Sequence, residues 1–426
     1  MGGAISLLVA GLVNWGATLP GPAVCTVDPE PVPFAFACGA ILLAAGLLAR
    51  GKVLAGALSG AVALLYEPIV AAPFWIVVLL AFILNRAFRR RMKPILPILV
   101  VAVLLLANLA QLQPQVGTGE GLFARLSASV AAIQQLRAPY AWVSLWRHEL
   151  WHYLALAVLG IWAAARVWPR LNRQMRWLVT GMGLAGIAAV CCSYLLVDRA
   201  HLATAAALEP SRLVVFTILF TSFLCSLAAV QALTHARRWE AFGWFTLVVA
   251  LPLNARIFVF LRVFEKSHAF QFALCLAIAA LLTWTARSKW LPLAFFATLV
   301  TLGITTRVPF TESRPTVIEL AQWAEQNTWG ASLFLFPDAG RDLYPGVFRA
   351  RSRRAIWVDW KTGMLATSSQ ALAVEWLQRW QNGPSEPIDY YVYKKEHRPP
   401  GIRVTFQNSE FCVYDAHDLR YEIKQQ

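Results

Sequence analysis

Charge is what this chain has least of: Asp, Glu, Lys and Arg make up 14% of its 426 residues, against 58% hydrophobic letters. A soluble domain carries about 25% charged residues, so an ordinary soluble protein is excluded and a polytopic membrane protein is expected. Cysteine is scarce in any useful arrangement. Cys25, Cys38, Cys191, Cys192, Cys225, Cys275 and Cys412 are odd in number, sit mostly in apolar stretches and show no C-x-x-C spacing. That argues against a disulfide framework or a cysteine zinc site. No basic residue precedes the first apolar run (5–17), so the N-terminus lacks the layout of a cleavable signal and reads as a first membrane segment.

Acids are missing unevenly. Residues 1–307 hold 24 Lys+Arg against 9 Asp+Glu, whereas 308–426 hold 14 of each, so the net charge of +15 belongs to the first part. A nucleic-acid partner, the usual reading of so basic a chain, loses its support because the soluble text is neutral. The division predicts a transmembrane helical domain over 1–307 and a soluble α/β domain over 308–426.

Eleven apolar runs occur in the first part: 5–17, 34–49, 53–66, 69–84, 94–112, 151–168, 177–197, 213–233, 239–253, 269–284 and 291–304. They predict a bundle of about eleven membrane segments, the two meeting at Glu67-Pro68 as a hairpin. Alternate loops sort by charge. One set holds 15 bases (Arg50 and Lys52, the group from Arg86 to Lys93, Arg166 to Arg176, Arg237 and Arg238, Arg287 and Lys289) with one acid, Glu240. The other set holds 9 bases and 8 acids. By the positive-inside rule the first set is cytoplasmic, which puts the N-terminus inside and residues 308–426 outside. The longest outer loop, 113–147, contains a stretch (122–136) expected to lie as an amphipathic interfacial helix.

In the tail, Thr316 and Glu319 form a T-x-x-E capping box ahead of an amphipathic run to Asn327, which predicts an opening helix. Strands are expected at 332–336, 355–358, 390–393, 402–405 and 411–414 and a helix at 369–381, an α/β alternation. Ligands of open α/β sheets gather past the carboxyl ends of strands, which nominates Asp338, Arg341, Asp359 and Lys361; ordinary loop polarity is the competing reading. The run "FRARSRR" (347–354 with its preceding Val) would hold a phosphate or lie on anionic headgroups, or else edge a solvated strand.

His148-Glu149-Leu150-Trp151-His152 fits H-E-x-x-H, in which two imidazoles one helical turn apart bind zinc and the Glu activates water. A third ligand is required, and Asp198, His201 and Glu209 return to the same outer face. The motif opens a membrane helix inside a belt of Tyr140, Trp142, Trp146, Trp151 and Tyr153, where coincidence with an interfacial segment is the favoured reading.

A pattern spread over nearly the whole chain is carried by "GKVLAGALSGAVALLYEP" (51–68), "LRAPYAWVSLW" (136–146), "EPSRLVVFTILF" (209–220) and "LAQWAEQNTWGASLFLFP" (320–337), then "FRARSRRAIWVDWKTG" (348–363), "EWLQRW" (375–380) and "DYYVYKK" with "VTFQNSEFCVYDA" up to residue 416. It resembles the bacterial polytopic proteins related to GT-C glycosyltransferases that end in a periplasmic α/β domain. The resemblance implies a GT-C-like bundle in the cytoplasmic membrane whose outer face binds a polyprenyl-phosphate-linked sugar, with membrane lipids as surroundings. In such enzymes a carboxylate of the first outer loop acts as base or binds a divalent metal, while basic side chains hold the donor phosphate. Asp28 and Glu30 are the acids of that loop here, standing as D-P-E; members of the family usually carry additional helices upstream. Arg137, Arg199, His201 and Arg212 are the phosphate candidates. The alternatives are a non-catalytic glycolipid-binding or envelope-scaffold protein and an intramembrane zinc peptidase through His148, His152 and Asp198.

Overall fold

Short apolar helices, broken by glycine and proline, build the first part of the chain. The computed structural model describes residues 17–18, 33–112, 124–146, 149–250, 254–255, 268–285, 314–363 and 370–418. They form two compact units, one of 1–115 with 138–305 and one of 116–137 with 306–426.

In the first unit, α1 (Pro33–Ala49) and α2 (Val53–Tyr66) form a hairpin. Its turn needs Gly51, whose φ of 76° lies in the left-handed region, open to glycine at no steric cost. The sequence continues through α3 (Pro68–Leu84), α4 (Arg86–Met92) and α5 (Ile95–Leu112), then α7 (Glu149–Val167), α8 (Arg173–Ser193), α9 (Ala203–Leu208), α10 (Val214–Thr234), α11 (Arg238–Ala250) and α12 (His268–Thr285). Helix α6 (Ala128–Arg137) belongs to the second unit. A two-residue antiparallel pair joins β1 (Ala17–Thr18) to β2 (Asn254–Ala255).

Helix α10 is the axis of this unit, buried on nearly every face. Small residues let its neighbours approach, as in membrane helix packing: a Cβ on Gly160 of α7 would come within 2.6 Å of Thr221 Oγ1. Two hydroxyls of α10 reach across helices, Thr217 donating to the Gly183 carbonyl (3.1 Å) and Thr221 to the Leu156 carbonyl (3.3 Å).

Eleven membrane segments are not what these helices form. Among the described residues two helical stretches are long and apolar enough to cross a membrane, Arg173–Arg199 (27 residues) and Ala203–Thr234 (32 residues). The stretches Phe36–Ala49, Val53–Tyr66, Pro68–Leu84, Ile95–Asn108 and Cys275–Thr285 stop at 10–17 residues. A crossing needs about 30 Å of rise at about 1.5 Å per residue, hence roughly 20 residues in one helix. An apolar run in the text carries no such guarantee: the runs at 34–49, 53–66 and 69–84 form helices of 17, 14 and 17 residues, bounded by the turn at Gly51 and by the break at Glu67, whose φ and ψ are −150° and 88°. The expected GT-C-like bundle of eleven segments is thereby overturned; runs 5–17 and 291–304 lie outside the described residues. Membrane association itself stands. Only a third of the apolar window of Arg173–Arg199 is covered by protein, and Leu43, Leu80, Val158, Ile161, Leu184 and Leu195 are exposed, an apolar exterior far beyond what water tolerates.

The second unit is a mixed five-stranded sheet with helices. Its elements are α6, α13 (Pro315–Asn327), β3 (Leu333–Leu335), α14 (Tyr344–Ser352), β4 (Ala355–Ile356), α15 (Gln370–Asn382), β5 (Tyr390–Lys394), β6 (Phe406–Gln407) and β7 (Phe411–Asp415), with strand order β4-β3-β5-β7-β6. Strand β3 runs parallel to both neighbours, Phe334 facing Ile356 on one side and Tyr390 on the other, while β7 is antiparallel to β5 and β6. Val317, Leu320, Ala321 and Ala324 of α13 pack with Phe334, Phe348, Val392, Phe411 and Val413 into its core.

Three local expectations change here. Helix α13 begins at Pro315, one residue before the proposed cap. Thr316 instead donates its hydroxyl to Glu410 (2.6 Å), because proline at the first helical position needs no donor and moves the start. The strand expected at 402–405 forms at Phe406–Gln407, where the register with β7 sets it. Helix α6 is not interfacial: Val130 and Ile133 are buried with Ala373 and Trp376 of α15, and the Arg137 guanidinium lies 4.0 Å from the Trp360 ring centroid and 5.3 Å from that of Trp376.

Candidate functional site

The two ends of the helical unit carry different chemistry. At one end Arg166 and Arg237 both pair with Glu240 (2.8 and 3.3 Å), Arg170 meets His235 (2.9 Å), and Asn172 donates to the Ala49 carbonyl (2.8 Å), which brings the Arg50–Lys52 turn alongside. The result is a basic rim with one described acid among these contacts.

The other end is built by the connection between the two long helices. Helix α8 runs into a π-helical turn, Tyr194–Arg199, a local widening that recurs at functional sites. Two non-glycine residues of the connection are left-handed, His201 (φ 52°) and Glu209 (φ 45°), a conformation that costs of order 1–3 kcal/mol and persists only where surroundings impose it. Both are held by the segment before α7. Tyr140 donates its hydroxyl to Glu209 Oε1 (2.9 Å). His201 sits edge-on to Trp142, ring centroids 5.7 Å apart. Asp198 accepts the Val143 (2.9 Å) and Ser144 (3.1 Å) amides and the Ser144 hydroxyl, and Ser193 donates to the Ala141 carbonyl (2.7 Å).

Arg212 is the centre of this rim. It donates to Glu209 Oε2 (3.1 Å), and its guanidinium lies over Phe34 (4.8 Å) and Tyr140 (5.7 Å). The Glu209 side chain is 14% exposed and that of Arg212 43%, so a nearly buried carboxylate orients a cation whose remaining donors reach outward. Arg199, one π turn beyond Tyr194 along the chain, donates to the Tyr194 hydroxyl (2.7 and 2.9 Å).

Of the residues nominated by sequence, Arg199, His201, Arg212 and Asp198 therefore come together on this rim, and Arg137 goes to the other unit. Asp28, Glu30 and His148 lie outside the described residues. Asp198 serves as an amide acceptor capping a 3₁₀ turn, and no cluster of three His, Cys, Asp or Glu suited to a metal occurs among the described residues. Glu209 and Tyr140 carry the rim, although the sequence offered them only as a further zinc-ligand candidate and as part of an aromatic belt. Glu209-Pro210 after an alanine run was the available signal, since proline forces the preceding residue off the helical path.

In the second unit Asp338 and Asp359 do follow the ends of the parallel strands β3 and β4. Asp338 is mostly buried and accepts the Lys394 amide (2.6 Å), His397 Nδ1 (3.1 Å) and the Tyr344 hydroxyl (3.5 Å). Burial, with the charges of Asp338 and Asp342, pushes the Tyr344 phenol above its ordinary range, and the hydrogen bond to Asp342 (2.8 Å) raises Lys394. Asp359, 1% exposed, accepts the Thr362 amide and has Arg349 at 3.8 Å. Arg341 lies over Trp360 at 4.7 Å, sharing that ring with Arg137. Arg354 of the "FRARSRR" run donates to Thr328 Oγ1 (3.0 Å) and to the Glu325 and Thr328 carbonyls (2.7 and 2.9 Å), which closes the C-terminus of α13 and takes it out of any phosphate site.

Residues 315–382 match the family described as a domain of unknown function, DUF6798. No curated protein and no solved structure gives a match. The matched stretch runs from α13 through α15, so it covers the β3–α14–β4 part of the second unit and none of the membrane helices.

Proposed function

We propose that this is a membrane protein that binds a polyprenyl-phosphate-linked sugar at the rim formed by Arg199, Glu209 and Arg212, with the phosphate on the arginines and the isoprenoid along the apolar exterior. The observation that carries the reading is Arg212 itself. A guanidinium set on two aromatic rings and fixed by a buried carboxylate is pre-organised, so it spends little entropy on engaging a lipid phosphate.

Segregated charge supports the orientation. Several bases with a single described acid, Glu240, at one end fit a cytoplasmic rim, and Arg212, Glu209 and the α/β unit are then assigned to the extracytoplasmic side of a bacterial cytoplasmic membrane. Helix α6, part of the loop 113–147, folds with the tail, as it would if both occupy one compartment. A reporter fused after Gln426 that proved cytosolic would refute this orientation.

Lipids extracted from the purified full-length protein and measured by negative-ion mass spectrometry test the binding. A polyprenyl-phosphate sugar is expected, falling at least tenfold in Arg212→Ala; its absence, or equal recovery from the variant, refutes the reading. Sugar transfer is the second reading, favoured by Glu209 lying within 3.1 Å of Arg212, so that a proton acceptor stands beside the phosphate cation. It requires that Glu209→Gln keep the lipid yet stop release of the free polyprenyl phosphate.

A further inference from the structure

Helix α13 presents an exposed polar face in the α/β unit. Its buried side carries Val317, Leu320, Ala321 and Ala324, while Glu319, Gln322, Trp323 and Gln326, spaced three and four residues apart, line a groove of about 590 Å³ against the edge strand β6. The groove is shallow and open to solvent. Trp323 stacks on Phe406, centroids 4.9 Å apart and planes at 21°, and gives the groove an aromatic wall.

We propose that this groove binds an uncharged oligosaccharide. Two of its amides are spent on the fold: Asn327 donates to the Trp323 carbonyl (2.9 Å), and Asn408 donates to the Thr316 carbonyl (2.8 Å) while accepting from Glu410 and Phe411. The side chains of Glu319, Gln322, Gln326, Gln407 and Ser409 have no hydrogen-bond or ionic partner among the described residues. Glutamine amides both donate and accept, which matches adjacent sugar hydroxyls, and a carboxylate accepts from two of them. Pyranose C–H faces pack on indole, whose ring face is electron-rich. None of the described lining residues is positively charged, which excludes a phosphate or another anion as the ligand. The inference rests on the glycolipid reading for the class of its natural ligand, a sugar chain.

The test uses full-length protein in nanodiscs on an array of neutral oligosaccharides and extended peptides. Wild type and Arg212→Ala are both expected to bind a neutral oligosaccharide, and a Gln322→Ala/Gln326→Ala double variant and Gln407→Ala to lose at least tenfold. All three substituted glutamines are exposed, so the fold is spared. Failure of wild type to retain any neutral oligosaccharide, capture of peptides in its place by the open β6 edge, or undiminished binding by the variants would each overturn the assignment. Oligosaccharide binding without any copurifying polyprenyl lipid would leave the groove standing and remove the glycolipid reading alone.

Discussion

Arg137→Ala is expected to loosen helix α6 from the α/β unit. At 10 residues α6 is too short to persist alone in water, so its order comes from packing. Its anchors are Val130 and Ile133, 3% and 1% exposed, and the Arg137 guanidinium over Trp360 and Trp376. A cation over an aromatic face contributes about 0.5–1 kcal/mol when exposed and about 2 kcal/mol when desolvated. Arg137 is half-buried with two rings, so its removal costs about 1–2 kcal/mol, including the packing of its apolar stem. At about 1.4 kcal/mol per factor of ten, exchange protection over 128–137 falls roughly 5- to 30-fold. Hydrogen exchange with mass spectrometry on the full chain in nanodiscs reads this directly, with Arg137→Lys intermediate because an ammonium keeps the charge and loses the planar stack. Unchanged protection in Arg137→Ala, or no protection of 128–137 in wild type, would refute the assignment of α6 to this unit. So would membrane-impermeant labels reaching 128–137 and 370–382 from opposite sides.

Two further outcomes follow from packing and burial. Gly160→Val sets two methyl groups against Thr221 in the axis helix and is expected to cost about 1–3 kcal/mol, read as faster thiol labelling of buried Cys225; an unchanged rate would show that α7 and α10 separate freely. The raised Tyr344 ionisation makes the fold prefer the neutral phenol. Its stabilisation is complete below the unfolded value near pH 10 and is lost as pH rises above it. Melting of the α/β unit is therefore expected to drop at strongly alkaline pH, and less steeply in Tyr344→Phe; identical slopes would contradict the burial of this ring.

Much of the tail could be read locally. The strand expected at 332–336 is Leu333–Leu335, the helix at 369–381 is Gln370–Asn382 and the strand at 411–414 is Phe411–Asp415, because alternation and helical period are properties of a few neighbouring residues. Where a partner decides, local reading failed. The strand near 402 shifted because β7 sets its register, and Thr316 was drawn to Glu410, 94 positions away. The rim divides in the same way. Arg199, His201 and Arg212 could be nominated as bases near an outer loop, whereas the pairing of Glu209 with Tyr140 spans 69 positions and leaves no local mark.

Composition alone was enough to require a greasy first part that carries the surplus of bases and a tail with acids and bases in equal number, since hydration and charge are sums over residues. How many helices are long enough to cross, which rim Arg212 shares with Glu209, and that α6 packs on tryptophans of the tail all depend on where chain breaks fall and which distant side chains meet. Those are properties of packing in three dimensions, where one bond from Tyr140 joins residues 69 positions apart.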